Sequence, residues 1–264
     1  MDLQIKGKTA LITGGSGGLG FAAARLLHAE GVSLTLTDLD ADALERAASE
    51  LGDDVATHAA DLTDTAQIGA LADKLREAGG CDILVHAAGV TGEKGDPLEM
   101  TDEEYHRVWE TNFLSAVRLA RAMVPQMAEK GWGRMVCVTS ENAVQPYVEE
   151  AVYNTAKAAL LNFTKGLAQA YAGKGVLINT VSPAFIETPM TDGMMEKRAE
   201  QLGVSRDEAI ESFLKEERPF LKIGRRGRAD EVAPAIALLC SSIASFTSGS
   251  AWRVDGGAVG AMNT

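Results

Sequence analysis

Aromatic residues make up only 5% of the 264 positions, and cysteine occurs just three times. Cys81, Cys137 and Cys240 are odd in number and far apart. That pattern rules out a disulfide scaffold, fits no zinc-ligand spacing and suits a reducing compartment, so no metal is expected. No apolar run approaches the roughly 18 residues that cross a bilayer. The opening segment MDLQIKGK lacks the apolar stretch of a secretory signal, and a cytoplasmic location is expected. Positive charge is also scarce: 25 Lys and Arg stand against 37 Asp and Glu, a formal charge of −12. Such a surface repels phosphate backbones and anionic headgroups, so neither nucleic acid nor membrane is an expected partner. No tract rich in Pro, Gly or Ser divides the chain, and no repeat is visible. With 46% hydrophobic and 23% charged residues, it reads as one globular domain over residues 1–264.

Two textures alternate along it. β-prone runs are predicted at Thr9–Thr13, Val32–Thr37, Val55–Ala59, Ile83–Ala87, Arg134–Thr139, Leu177–Val181 and Ser250–Val254. Helical stretches fall between them, at Leu19–Glu30, Asp40–Glu50, Thr65–Ala78, Asp102–Lys130 (with Pro125 as an expected kink), Ala151–Tyr171 and Ala229–Ser241. Strands alternating with helices of this length predict βαβ units and right-handed crossovers. The expected fold is therefore α/β, a doubly wound parallel sheet of about seven strands with helices on both faces. Thr188–Pro219 departs from the alternation. It is charged and helical, with Met190, Met194, Met195 and Phe213 interspersed, and reads as an insertion that covers a substrate.

Between the first strand and the first helix lies Thr13-Gly14-Gly15-Ser16-Gly17-Gly18-Leu19-Gly20. Glycines let a backbone approach a ligand closely, and the helix that follows turns unpaired N–H groups and its positive end toward a pyrophosphate. The strand before and the helix after place the cluster as a dinucleotide cradle rather than a mere turn. Asp38 ends the second strand, 18 residues beyond Gly20, where a carboxylate accepts from the adenosine ribose hydroxyls and repels a 2′-phosphate. No Arg or Lys in the glycine loop or just after Asp38 offsets that repulsion, so NAD is expected over NADP. Capping of the next helix is a competing use for Asp38, although Asp40 serves equally well.

Tyr153 and Lys157 stand four apart on a predicted helix, on one face about a turn apart. A tyrosine titrates near ~10 and is a poor base at neutral pH unless cations lower it. The expectation is that Lys157 and an oxidised nicotinamide ring lower it by ~2 to 3 units, roughly 3 to 4 kcal/mol of differential stabilisation. Ser140 closes a strand that would open on the ligand crevice, where a hydroxyl can hold a substrate oxygen beside Tyr153. A serine–histidine nucleophile lacks support, because Ser140 is not in a Gly-x-Ser-x-Gly elbow and no histidine follows it.

Taken together, these motifs resemble the short-chain dehydrogenase/reductase family in its compact single-domain branch. The resemblance runs nearly end to end: TGGSGGLG at Thr13–Gly20, Asp61, AAG at Ala87–Gly89, ETNF with Asn112, Ser140, the Tyr153/Lys157 pair, NTVSPAFIET at Asn179–Thr188 and the terminal VDGG. It implies a catalytic tetrad of Asn112, Ser140, Tyr153 and Lys157. Tyr153 would exchange the proton, Ser140 polarise the substrate oxygen, Lys157 hold the nicotinamide ribose, and Asn112 position a relay water. Asp61 and Leu62 would flank the adenine, and Ile186 and Thr188 would meet the carboxamide. Leu39, Ala88, Gly89 and Pro183 complete the implied cofactor contacts beside Gly14, Ser16, Gly17, Gly18, Leu19, Gly20 and Asp38. The resemblance also implies a homotetramer.

Two positions depart from the family pattern. His86 stands where the family often has Asn and is read as a hydrogen-bonding substitute within the sheet; Ala184 replaces the usual Gly and leaves the chemical groups intact. Glu141, Glu149 and Glu150 lie close to the serine and tyrosine in sequence. Either they disfavour phosphorylated or carboxylated substrates, or they form a solvated acidic loop. The expected activity is NAD-dependent interconversion of a secondary alcohol and a ketone. Competing readings are a 3-oxoacyl thioester reductase, which the −12 charge and Asp38 disfavour, a sugar-nucleotide epimerase, and a dinucleotide-binding regulator without turnover.

Overall fold

A computed structural model of the protein describes residues 1–261. Seven strands form one parallel sheet: β1 (Thr9–Thr13), β2 (Ser33–Thr37), β3 (Ala56–Thr57), β4 (Ile83–His86), β5 (Gly133–Val138), β6 (Val176–Pro183) and, past a small extra pair, β9 (Ala251–Val254). Their spatial order is β3-β2-β1-β4-β5-β6-β9. The chain builds outward from β1 to β3, then returns to the other side of β1 with β4. That reversal opens a crevice beyond the C-terminal ends of β1 and β4, where open α/β sheets bind ligands.

The strands are short apolar runs because both faces of the sheet are covered. Side chains alternate in direction, so Ile12, Val85 and Val136 pack on one face while Leu11, Leu84 and Met135 pack on the other. The first face is covered by α1 (Gly18–Ala29), α2 (Ala41–Leu51) and α9 (Ala229–Leu239), through Leu27, Leu44 and Ile236. The second is covered by α3 (Thr65–Glu77), α5 (Ser115–Glu129) and α6 (Ala151–Tyr171), through Leu71, Leu119 and Leu160. Each such fully buried leucine or isoleucine contributes about 1.5–3 kcal/mol from removal of its surface from water.

The helix starts follow their capping chemistry. Asp40 accepts from Ala43 N–H and caps α2, Asp64 caps α3, and Thr101 with Glu104 forms a capping box on α4 (Asp102–Trp109). Pro125 sits inside α5 without ending it. The irregularity in this region falls earlier, at a π-turn over Glu110–Leu114 between α4 and α5, a feature frequent at functional sites. The third strand is shorter than its sequence run, only Ala56–Thr57, because it lies at the sheet edge and pairs β2 alone.

The segment after β6 folds as β7 (Ile186–Glu187), α7 (Pro189–Leu202), α8 (Arg206–Glu216) and β8 (Gly227–Arg228). β7 and β8 pair in parallel as a two-stranded sheet that the sequence pattern did not signal, and this pairing fastens both ends of the insertion. Phe185, Met195, Phe213, Leu221 and Ala258 form a satellite cluster beneath it, with Phe185 and Phe213 ring centroids 4.7 Å apart. Met195 is therefore core, whereas Met190 is exposed at the rim of the main crevice.

Candidate active site

Nearly all the sequence-predicted residues converge on one cleft of about 370 Å³ at the C-terminal ends of the strands. At one end it is lined by Gly14, Ser16, Gly17, Gly18, Leu19 and Gly20, with Asp38 and Leu39 after β2 and Asp61 and Leu62 after β3. Toward the other end it meets Ala88 and Gly89, then Ser140, Tyr153 and Lys157, and finally Pro183, Ile186 and Thr188. Asn112 alone does not reach the lining, where its neighbour Thr111 appears instead. Asn112 is fully buried, accepts from Val90 N–H at 2.7 Å and donates to Val90 O at 2.8 Å. Both ends of its amide thus hold the loop after β4.

The glycine loop has the shape of a cradle. At Gly20 a Cβ would lie 2.1 Å from Gly14 O, and at Gly14, where φ is +64°, it would lie 3.0 Å from the Ala87–Ala88 backbone. Neither position accepts a side chain. Helix α1 begins at Gly18 with no side-chain cap and no acidic residue in its first turn. Its leading N–H groups consequently point into the cleft without a protein acceptor, which is the chemistry a pyrophosphate satisfies. Asp38 Oδ2 accepts from Ser16 Oγ at 2.5 Å and Oδ1 accepts from Leu39 N–H at 2.8 Å. Since Asp40 caps α2, Asp38 is free of that task. Asp61 accepts from both Thr63 N–H and Thr63 Oγ1, which fixes its carboxylate at the rim. The residues present fit a nicotinamide dinucleotide.

Sequence reasoning missed several lining groups, among them Thr63, Val90 and Thr139. It also missed Thr13, whose Oγ1 accepts from the N–H groups of Ala87 and Ala88 at 3.1 Å each and so ties β1 to the AAG loop. Thr13 follows a strand and precedes the glycines, a position that could have been read as a brace. His86 lies fully buried between Thr13 Oγ1 at 3.1 Å and Ser115 Oγ at 3.3 Å. Burial, with Lys157 nearby, pushes its pKa down to about 3, so it stays neutral.

On the reactive side, Lys157 Nζ donates to Val138 O at 2.9 Å and lies 5.6 Å from the Tyr153 ring centroid. Burial lowers its pKa to about 8. Tyr153, by contrast, is pushed above its ordinary value, first by burial and then by the Glu141 carboxylate, with a hydrogen bond to Ser140 opposing. Within the protein alone, burial and the Glu141 carboxylate set the direction of the Tyr153 shift.

The three glutamates divide. Glu149 is exposed, whereas Glu141 and Glu150 are buried. Glu150 is held by Arg218 Nη2 at 2.9 Å and Lys94 Nζ at 2.5 Å. Its charge is met by two cations, so it presents no bare negative wall to a substrate. Among the described residues no group of three His, Cys, Asp or Glu gathers as a metal site, and no helix is long and apolar enough to cross a membrane.

Comparison with known proteins agrees with this architecture. A family model described as enoyl-(acyl carrier protein) reductase matches residues 14–259. An uncharacterised oxidoreductase of Bacillus subtilis is 36% identical over 98% of this chain and 99% of its own length. The 3-oxoacyl-[acyl-carrier-protein] reductase of Escherichia coli is 33% identical over 97% and 98%. The solved structure of L-sorbose reductase from Gluconobacter frateurii, complexed with NADPH and L-sorbose, superposes with a TM-score of 0.92 at 35% identity, covering 99% of this chain and all of that one. The chain is an oxidoreductase of the nicotinamide-dinucleotide-binding class. It belongs to the short-chain dehydrogenase/reductase family.

Proposed function

We propose that this protein interconverts a secondary alcohol and a ketone with NAD, Tyr153 acting as proton donor and acceptor. The observation that carries this reading is the meeting of Ser140, Tyr153 and Lys157 in the same cleft as the glycine cradle and Asp38. The bound dinucleotide supplies the hydride acceptor or donor and, when oxidised, a positive ring. Gly14 to Gly20 and the start of α1 hold its pyrophosphate, and Asp38 holds the adenosine ribose. Lys157 anchors the nicotinamide end, while Ile186 and Thr188 bound it. Thr188 also caps α7, so cofactor and insertion share a boundary.

Because the protein alone leaves Tyr153 a neutral phenol, it is set to give a proton to a ketone oxygen. In the oxidative direction it needs the extra positive charge of an oxidised nicotinamide before it can take one. Ser140 fixes the substrate oxygen beside it. Asn112 holds the Val90 loop beside the same site and positions a water in the proton relay. Thr188–Pro219 serves as the lid, anchored by the β7–β8 pair and by Asp192 bonded to Arg226 at 2.8 Å. The protein works in the cytoplasm as a homotetramer, a state that light scattering on the purified chain tests.

A second reading has specific support: the matching family model and the Escherichia coli relative both carry acyl-carrier names. Reduction of a 3-oxoacyl thioester uses the same groups. The −12 charge disfavours it, because an acidic carrier would be repelled. One experiment separates the readings: a panel of polyols, cyclic and aliphatic secondary alcohols and 3-oxoacyl thioesters, each with NAD(H) and NADP(H). Transfer of deuterium from a labelled alcohol to NAD supports the proposal, and turnover confined to thioesters overturns it. Tyr153→Phe is expected to lower kcat by about 10²–10⁴-fold while dinucleotide affinity is kept; full activity in that variant would refute Tyr153 as the proton carrier.

A further inference from the structure

Beside Ser140 the fold buries a carboxylate that the mechanism above does not use. Glu141 Oε2 accepts from Ser140 Oγ at 2.8 Å, and its side chain is only 3% exposed. Asn142 adds a second acceptor, its Oδ1 lying 3.0 Å from Ser140 Oγ, and Asn142 N–H donates to the same oxygen at 3.2 Å. The orientation of that amide is fixed, because Asn142 Nδ2 donates to Glu150 Oε2 at 2.6 Å and Asn154 Oδ1 at 2.8 Å. Ser140 has a single proton to give. Between an amide oxygen and a carboxylate, the carboxylate is the stronger acceptor.

Resting on the dehydrogenase reading, we propose that Glu141 is a positioning residue that sets the polarity of the Ser140 hydroxyl. Ionised, it holds the Ser140 proton on itself and away from the substrate oxygen. Protonated, it donates to Ser140 and frees the Ser140 proton for the substrate oxygen in the one transition state that both directions share. No covalent step is involved; one hydrogen-bond chain reverses its direction.

The surroundings bring this reversal into the working pH range. From the segment after α8, Arg218 Nε lies 3.5 Å from Glu141 Oε1 and favours its charge. From the loop before α6, Glu150 opposes that charge, and it is itself paired with Arg218 and with Lys94 of the loop after β4. The phenols of Tyr147 and Tyr153 face the same carboxylate, and Asp255 after β9 acts on Tyr147. Burial outweighs Arg218, and the Glu141 carboxyl is pushed up to about 7. Below that pH the Ser140 proton is free for the substrate oxygen, and above it Glu141 holds it.

The test is Glu141→Gln, whose side-chain amide mimics the protonated acid at every pH. In the wild type, kcat/KM for ketone reduction should fall through a break near pH 7. In the variant that break should vanish, and at pH 8 reduction should exceed the wild-type rate by about tenfold, the reciprocal of the protonated fraction one unit above the midpoint, with oxidation raised by the same factor because both directions share one transition state. Dinucleotide affinity should stay within about twofold, since Glu141 lies outside the cradle. A variant that keeps the break, or that loses both directions equally with an unmoved profile, overturns the proposal. Should the variant not fold, infrared titration of wild-type protein labelled with ¹³C-glutamate decides: a buried carboxyl with a midpoint near 7 supports it, and none above 6 overturns it. Wild-type turnover with an unmoved variant profile sinks this inference alone. Absence of hydride transfer from any alcohol sinks the dehydrogenase reading beneath it.

Discussion

Replacing Asp38 with Asn removes one charge and little else. Asp38 Oδ2 accepts from Ser16 Oγ at 2.5 Å, and its Oδ1 accepts from Leu39 N–H at 2.8 Å. An asparagine of the same shape keeps one of these acceptor roles. With the ribose hydroxyls beside Asp38, a 2′-phosphate would carry two negative charges on the order of 6 Å from the carboxylate. At an effective dielectric of about 40 to 80 for this half-exposed position, the repulsion is roughly 1.4 to 2.8 kcal/mol. Among the described residues Lys157 is the one basic residue lining the cleft, and it lies on the Ser140 and Tyr153 side, away from Asp38. Asp38→Asn should therefore raise kcat/KM for NADP relative to NAD by about 10- to 100-fold. Initial rates with both dinucleotides on one alcohol, followed by reduced-cofactor absorbance, give the ratio directly. Raising the salt should shrink the wild-type preference, because a half-exposed charge is screened. A ratio that moves less than threefold, or a wild type that already prefers NADP, would show that the ribose does not rest against Asp38. The test has force because the solved L-sorbose reductase structure contains NADPH.

Two further outcomes concern stability. His86 has a folded-state pKa near 3, against an ordinary value of 6.5. Its neutral burial is therefore fully tolerated above pH 6.5, and stability is lost as pH falls from 6.5 toward 3, by at most about 1.4 kcal/mol per unit. His86→Asn should flatten that acid limb in denaturant unfolding at pH 7, 6 and 5; an unchanged slope would refute the assignment. Arg218→Met strips the buried Glu141 and Glu150 of their shared cation and should cost about 3–5 kcal/mol, part of it recovered by adding Glu150→Gln. Thermal unfolding measures both, and a loss below about 1 kcal/mol would mean that the pair is not held as described.

Local patterning carried most of the architecture. Short apolar runs broken by glycines and capped helices have few other ways to bury both faces of each strand, so Thr9–Thr13 and Ala151–Tyr171 fall where the sequence predicts them. The glycine loop and Asp38 were equally legible, because backbone clearance and strand-end position are properties of a few adjacent residues. The β7–β8 pair was not, since its two strands lie far apart along the chain, and no pattern in the sequence marked the π-turn at Glu110–Leu114.

By itself, the sequence determined the α/β sheet, the family and the convergence of cradle, serine, tyrosine and lysine on one crevice, because periodicity and motif spacing act locally. Only the tertiary structure decided what each charge does. It turned Asn112 onto Val90, buried Tyr153 beside the Glu141 carboxylate, and drew Glu141 and Glu150 inward to Arg218. Desolvation and the hydrogen-bond partners that set a group's ionisation come from segments far apart in the chain, so they exist only once the fold has brought those segments together.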